Sequence, residues 1–325
     1  MKNFDEINKK IIFELSRNSR QNISELSKNT KIRRETINYR IKQLESSGII
    51  NNYYTIIDHN KLGYIMIRLY IKLQNINSEI EEKIIKYLFT LKDITVICTS
   101  EGDWDLIVCI LTKTYDLFYI TKRELKEKFG SYINKINASL LYKYSRLDRK
   151  YLINNLNLYK NELYTISNNN KKVEIKKMDI KLLNIISENA KINIVDIAKQ
   201  LKITPKAVKY KIKRLEKDKI IVGYSANIDM SKFGYEYYKI DLILGNTIII
   251  EDLSKFIKSN LYVIYIDWSI GGSDFEFEIE VQGIDSFYNF MKNLKDKFGN
   301  EIITYKFYKR KKLYKYKFIP IIDEL

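Results

Sequence analysis

The chain is nearly without histidine, proline and cysteine. It has one histidine, two prolines and two cysteines in 325 residues. A lone histidine excludes a two-histidine metal site. His59 comes just before Lys61-Leu62-Gly63 and reads as a junction or surface residue, not a catalytic one. Cys98 and Cys109 cannot build a disulfide framework or a thiolate zinc site. They fall on adjacent predicted strands, which leaves one bridge open, and read first as two reduced core thiols. With eleven glycines there is no Gly-rich phosphate loop. No carboxylate pair is clustered for general acid–base work. No apolar run nears the roughly 20 residues that span a bilayer. The start, MKNFDEINKK, lacks an apolar signal core. The expectation is a cytoplasmic protein that is not an enzyme, needs neither cofactor nor metal, and has no membrane partner.

Cation is plentiful. Lys+Arg minus Asp+Glu is 57 − 40 = +17, which favours a polyanionic partner, nucleic acid before membrane. The chain is also rich in Ile, Asn and Tyr, which share A/T-rich codons with Lys. The placement of the charge therefore says more than its total.

The sequence repeats itself. Holding an offset of 171 without gaps from Ile23 to Tyr64 gives 17 identities in 42 positions, among them Tyr39/Tyr210, Leu44/Leu215 and Asp58/Asp229. Further on, at an offset of 169, Gly102-x-x-Asp105 answers Gly271-x-x-Asp274 and KEKFG answers KDKFG. The chain is a tandem duplication, joined by a Lys/Asn-rich segment suited to an exposed linker.

Each copy opens with three predicted helices. In the second copy the third helix starts Thr204-Pro205, a cap followed by a residue suited to the first turn. Val208, Ile212 and Leu215 form its buried stripe, and Lys206, Lys209, Tyr210, Lys213 and Arg214 lie opposite. In the first copy Ile37, Ile41 and Leu44 form the stripe. Arg33 and Arg34 open that helix, and Asn38, Tyr39, Arg40 and Lys42 lie on its flanks and far side. A solvated charged face alone would explain either helix. A basic, tyrosine-bearing third helix in both copies, followed by a short β segment, instead fits the winged helix-turn-helix plan, which sets such a helix in the DNA major groove. Lys and Arg would attract phosphates; Arg, Asn and Tyr can also touch base edges. These residues, with Thr204, are the candidate contacts to double-stranded DNA. Gly48 suits a left-handed helix stop, whereas Lys219 stands there in the second copy.

The rest of each copy reads strand–helix–strand–strand–helix–strand. In the first copy these are 65–73, 78–91, 94–99, 106–111, 115–129 and 133–142; the last strand of the second copy is 302–308. βαββαβ is the ferredoxin-like order, an antiparallel sheet with helices on one face. Stacking the two sheets would cover the other face. LIVCIL is apolar throughout, but FEFEIEV alternates, with Phe275, Phe277, Ile279 and Val281 inward and Glu276, Glu278 and Glu280 outward. The glutamates could hold a cation; the favoured reading has them facing water or pairing with lysines such as Lys239.

FDEINKKII…ISELSKNTKI…INYRIKQLESSGIINNYYTIID, and its counterpart from Met178 to Asp229, resemble Lrp/AsnC transcription regulators, in a two-copy form like archaeal members. The resemblance covers nearly the whole chain outside the linker. It implies an α+β protein of two tandem units: winged helix-turn-helix at 1–62, ferredoxin-like ligand-binding (RAM) domain at 63–150, linker at 151–177, winged helix-turn-helix at 178–233 and RAM domain at 234–325. It implies a sequence-specific regulator of transcription. In many members an amino-acid effector binds near the Gly-x-x-Asp turn, here Gly102, Asp105, Gly271 and Asp274. The alternative is that these glycines serve only tight hairpins. Pairing through the sheets gives an internal pseudo-dimer, with exposed sheet edges favouring further homo-oligomerisation. Arg33 departs from the family's Ser/Thr cap. Siroheme decarboxylases share a similar unit but would need histidine and arginine near the first sheet strand; YIMIRLYIKLQ offers Arg68 and no histidine. An effector-independent architectural DNA protein is the third reading.

Overall fold

The computed structural model describes residues 4–153, 162–169 and 171–320. The first unit opens with α1 (Glu6–Arg17), α2 (Ile23–Thr30) and α3 (Arg34–Ser46), then β1 (Ile50–Ile57). Asp5 caps α1, and Asn22 with Glu25 forms a reciprocal capping box on α2. There follow β2 (Ile65–Leu73), α4 (Ser78–Thr90), β3 (Ile94–Gly102), β4 (Leu106–Thr112), α5 (Tyr115–Phe129) and β5 (Ile133–Leu147). β6 (Glu162–Ser167) lies in the joining segment. The second unit repeats the order: α6 (Lys177–Glu188), α7 (Ile194–Leu201), α8 (Pro205–Lys217), β7 (Ile221–Ile228), β8 (Tyr235–Leu244), α9 (Ile250–Ser259), β9 (Val263–Ile270), β10 (Phe275–Gln282), α10 (Gly283–Phe298) and β11 (Ile302–Tyr316). The fold is α+β, two copies of one plan. Among the described residues no helix is long and apolar enough to cross a membrane.

The two helix-turn-helix modules share one core. β1 and β7 pair antiparallel, with Tyr53 opposite Ala226 and Tyr54 opposite Ser225. Each module's first helix docks on the other module's strand. Ser225 Oγ donates to Ser16 O, and Thr55 Oγ1 donates to Ile186 O. Ile11, Leu15, Ile37 and Leu44 belong to the same buried cluster as Leu182, Ile186, Val208 and Leu215. The two modules are thus one body, not two beads on a string.

The sheets do more than stack. Their strands run in the order β2-β4-β3-β11-β8-β10-β9-β5, and β5 returns to β2, which closes a barrel. The closure comes from two long strands. β5 pairs with β2 through its first half and with β9 of the other unit through its second. β11 does the same between β8 and β3. Both strands therefore run well past the ends expected from sequence. Among the described residues, closure gives each of the eight barrel strands a neighbour on both sides, which removes from the barrel the full-length exposed sheet edges expected to support further oligomerisation.

Two other expectations need correction. The joining segment is not a plain exposed linker: β6 pairs with β5 and buries Tyr164 and Ile166 in the first core. Residues 154–161 and 170 of that segment lie outside the described residues. The glutamates of β10 do not face water either. Phe275, Phe277, Ile279 and Val281 pack beneath α9 and α10, and Glu276, Glu278 and Glu280 are buried on the opposite face, inside the barrel. The alternation was legible, but the environment of its polar side depends on a sheet from the other copy.

Candidate nucleic-acid interface

The third helix of each unit lies with its apolar stripe down. Ile37, Ile41 and Leu44 of α3, and Val208, Ile212 and Leu215 of α8, are buried. Outward from α3 stand Arg33, Arg34, Asn38, Tyr39 and Lys42, all exposed. Thr204, Lys206, Lys209, Tyr210 and Lys213 are exposed on α8. Tyr39 and Tyr210 are 60% and 69% exposed, open to a partner. Two candidates are tied down instead. Arg40 pairs with Asp5 at 2.9 Å, and Arg214 pairs with Asp179, which also holds Lys211 at 3.0 Å. Each pair ties the third helix to the start of the first.

The caps differ as the residues dictate. Thr204 Oγ1 accepts from the Ala207 amide at 3.2 Å, whereas Arg33 makes no capping bond. The turns into both helices hold Lys31 and Lys202 at φ 58° and 53°, a left-handed conformation that disfavours a Cβ. Both are exposed, and sequence reasoning missed them because a left-handed lysine has no sequence signature. Gly48 and Lys219 take the left-handed stop at φ 64° and 53°.

The Gly-x-x-Asp turns sit at the seams between units. Gly102 has φ 121°, and a Cβ there would lie 2.7 Å from Phe307 O on β11. Gly271 has φ 79° and faces Ala138 O on β5 at 3.5 Å. The aspartates tie strands together: Asp105 accepts from the Leu73 amide at 2.8 Å and from Lys72 Nζ at 3.0 Å. Asp274 accepts from the Leu244 amide at 2.8 Å. All four candidate effector residues thus have structural work in joining the barrel.

Inside the barrel lies a charge network that sequence reasoning only touched. Arg68 pairs with Asp267 at 2.8 Å and Glu276 at 3.2 Å. Lys239 pairs with Asp241 at 2.6 Å and with Glu276, so the expected glutamate–Lys239 pairing occurs. Arg149 grips Glu280 through two bonds, at 2.7 and 3.0 Å. Burial alone would raise the Glu280 carboxyl, but the Arg149 guanidinium overrides it and holds the pKa at about 2. His59 is buried, with its ring stacked on Tyr144 at 6.1 Å, which corrects the surface reading. Cys98 and Cys109 are buried and unbridged. Among the described residues no cluster of three or more His, Cys, Asp or Glu could hold a metal ion.

Comparison with known proteins adds the following. Residues 4–51 and 175–222 both match the model described as winged helix-turn-helix DNA-binding. The chain is 35% identical over 111 residues to the HTH-type transcriptional regulator FL11 of Pyrococcus furiosus, covering 34% of this chain and 71% of that protein. It is 32% identical over 143 residues to an uncharacterized HTH-type transcriptional regulator of the same organism, covering 43% and 92%. To the regulatory protein AsnC of Haemophilus influenzae it is 29% identical over 114 residues, covering 35% and 75%. Among solved structures, the siroheme decarboxylase NirDL covers 98% of this chain and 95% of its own, with a TM-score of 0.60 and 12% identity, a likeness of fold alone.

Proposed function

The chain belongs to the Lrp/AsnC family of helix-turn-helix transcriptional regulators, and from that premise we propose that it is a sequence-specific DNA-binding regulator that uses both third helices at once. One observation carries the reading: β1–β7 pairing and the shared core hold two basic helices, α3 and α8, in a single body. Such a pair suits two half-sites in successive major grooves. Arg33, Arg34, Asn38, Tyr39 and Lys42 would serve one half-site, and Lys206, Lys209, Tyr210 and Lys213 the other. Lys31 and Lys202, kept where glycine would cost less, would reach flanking phosphates. We also propose that a small effector modulates binding.

Fluorescence anisotropy tests this, with DNA from upstream of the protein's own gene against a shuffled duplex across a salt series. A binder that neutralises roughly 6–10 phosphates should lose about 10³–10⁵ in affinity between 50 and 200 mM salt. The double variant Lys209→Glu/Lys213→Glu should lose any preference of tenfold or more. Equal binding to both duplexes, followed by a genomic-fragment selection that returns no preferred sequence, would support an architectural protein instead. The decarboxylase reading rests on fold alone, and Arg68 is already committed to Asp267 and Glu276. A Soret-absorbing ligand on the purified protein would revive it.

A further inference from the structure

Every barrel strand has two neighbours, but not along its whole length. The two long strands each outrun one of them. β5 leaves β2 after Leu141, and β11 leaves β8 after Lys309. Beyond those points each keeps its partner from the other unit on one edge, β9 for β5 and β3 for β11. The opposite edge differs between the units. In the first, β6 takes it, pairing antiparallel from Lys143 to Leu147. In the second, no strand among the described residues takes it from Arg310 to Tyr316. The amides and carbonyls of that stretch that turn away from β3 meet no backbone partner among the described residues.

The place is a groove of about 820 Å³ between β11, the start of β8 and the β1–β7 ribbon. Met230, Tyr235, Leu313 and Tyr316 line it, and Lys311 and Lys312 stand exposed beside them. An extended residue takes about 160 Å³, from a rise of about 3.3 Å, a strand spacing of about 4.8 Å and about 10 Å between packed layers. The groove therefore suits a single strand of about five residues; β6 has six. The two units also differ in cover. Tyr144, Ser145 and Leu147 are buried beside β6, with Ser145 Oγ 2.6 Å from Thr165 Oγ1. At an offset of 169 their counterparts are Leu313, Tyr314 and Tyr316, all only half-buried.

Charge narrows what fits. On the first unit, β6 brings Glu162, which pairs with Lys258 at 3.1 Å and feels the charge of Lys143. The counterpart of Lys143 is Lys312, which has no carboxylate within ion-pair reach among the described residues and lies over the Tyr314 ring at 4.6 Å. Lys311 reaches Glu101 only at 3.9 Å. The nearer carboxylates of the groove are already engaged: Glu236 by Lys309, Glu280 by Arg149 and Asp229 by the Ser231 hydroxyl. Lysines on an edge guard against self-pairing, and two β11 edges would set lysine against lysine. Nucleic acid would match the charge but offers no row of amides and carbonyls to continue the ladder.

We propose that this edge of β11 binds an extended acidic peptide of a partner protein, added as an antiparallel strand as β6 is on β5. Its alternate apolar side chains pack on Leu313 and Tyr316, and its acidic ones meet Lys311 and Lys312. None of the exposed α3 and α8 residues lines the groove, so the partner leaves both helices free. The claim stands apart from the regulator reading.

The test uses the full chain and a fluorescein-labelled peptide of the β6 sequence, ELYTIS, extended by two aspartates at each end. A twin extended by lysines is the control. The acidic peptide should bind, and the twin at least about tenfold more weakly. Lys311→Glu/Lys312→Glu, at two exposed positions, should reverse that order. A single N-methyl group should weaken binding by about tenfold or more at every second peptide residue, where the amide faces β11, and leave it within about twofold at the residues between. Amide hydrogen exchange should slow within 310–316. No binding of the acidic peptide at about 1 mM would overturn the proposal. So would equal binding of the twins, or protection confined to 143–147 and β6. Binding displaced by heparin and indifferent to N-methylation would mark a polyanion site instead. A chain that sediments as a dimer until the peptide is added would assign the edge to a second copy, and would equally overturn it. DNA binding enters none of these readouts, so this inference and the regulator reading fail separately.

Discussion

Glu278 and Glu280 sit two residues apart on β10, point the same way and meet opposite fates. Arg149 and the Tyr151 hydroxyl hold Glu280 ionised. Glu278 accepts from the Tyr237 hydroxyl but has no cation within ion-pair reach among the described residues; burial, and then the neighbouring Asp267, push its pKa from 4.5 up to about 7. The folded state therefore holds that proton more tightly than the unfolded chain does, and its stability falls as pH rises from about 4.5 through about 7. His59 works the other way. Burial lowers its pKa from 6.5 to about 3, so the folded state loses stability as pH falls below 6.5. Between 4.5 and 6.5 the two slopes oppose each other. Glu278→Gln should gain over the wild type by about 3–4 kcal/mol at pH 8 and by little at pH 4, at about 1.4 kcal/mol for each unit by which the pKa is raised. His59→Phe should differ from wild type most below pH 5. Denaturant titrations across pH read both differences; a Glu278→Gln gain that shrinks as pH rises would contradict the assignment.

At the scale of elements, local signals carried far. Thr204-Pro205 announced the start of α8, and β2 and α5 run over the residues their patterns indicated, Ile65–Leu73 and Tyr115–Phe129. Thr204→Ala should cost about 1 kcal/mol of stability, and Arg33→Ser should gain somewhat less by supplying the missing cap; thermal melts check both. What the sequence could not convey is long-range. KYSRL at 143–147 and KRKKLYKY at 309–316 look like polar tails, and are strand because β9 and β3 pair with them from about 120 and about 210 residues away, with β6 on the other edge of the first. The same holds for Gly102, legible as a hairpin glycine but constrained by the approach of Phe307. Alanine at Gly234, whose Cβ would meet nothing within 4 Å, pays only for its positive φ, about 1–2 kcal/mol. At Gly102 the added clash should make the cost at least about twice that, and melts of the two variants should separate accordingly. Equal costs would mean that β11 does not pass Gly102 closely.

At the scale of the molecule, duplication has produced an internal dimer whose seam runs through the helical core and the barrel alike. A first unit alone, residues 1–153, would expose the partner-facing halves of β3 and β5 and the open side of β1. It should pair with itself, and sedimentation should find a dimer at micromolar concentration; a stable monomer would contradict the interdependence described here. The barrel's charge asymmetry was half legible, in the contrast between LIVCIL and FEFEIEV, but its meaning needed the second sheet. The fixed spacing of α3 and α8 is the central claim. Duplexes selected from a random library with the full chain should carry two half-sites about 10–10.5 base pairs apart, centre to centre. Inserting five base pairs between them should cut affinity by about 100-fold or more, the avidity of a two-point grip. Binding that tolerates the insertion, or a selected sequence with a single half-site, would contradict the account.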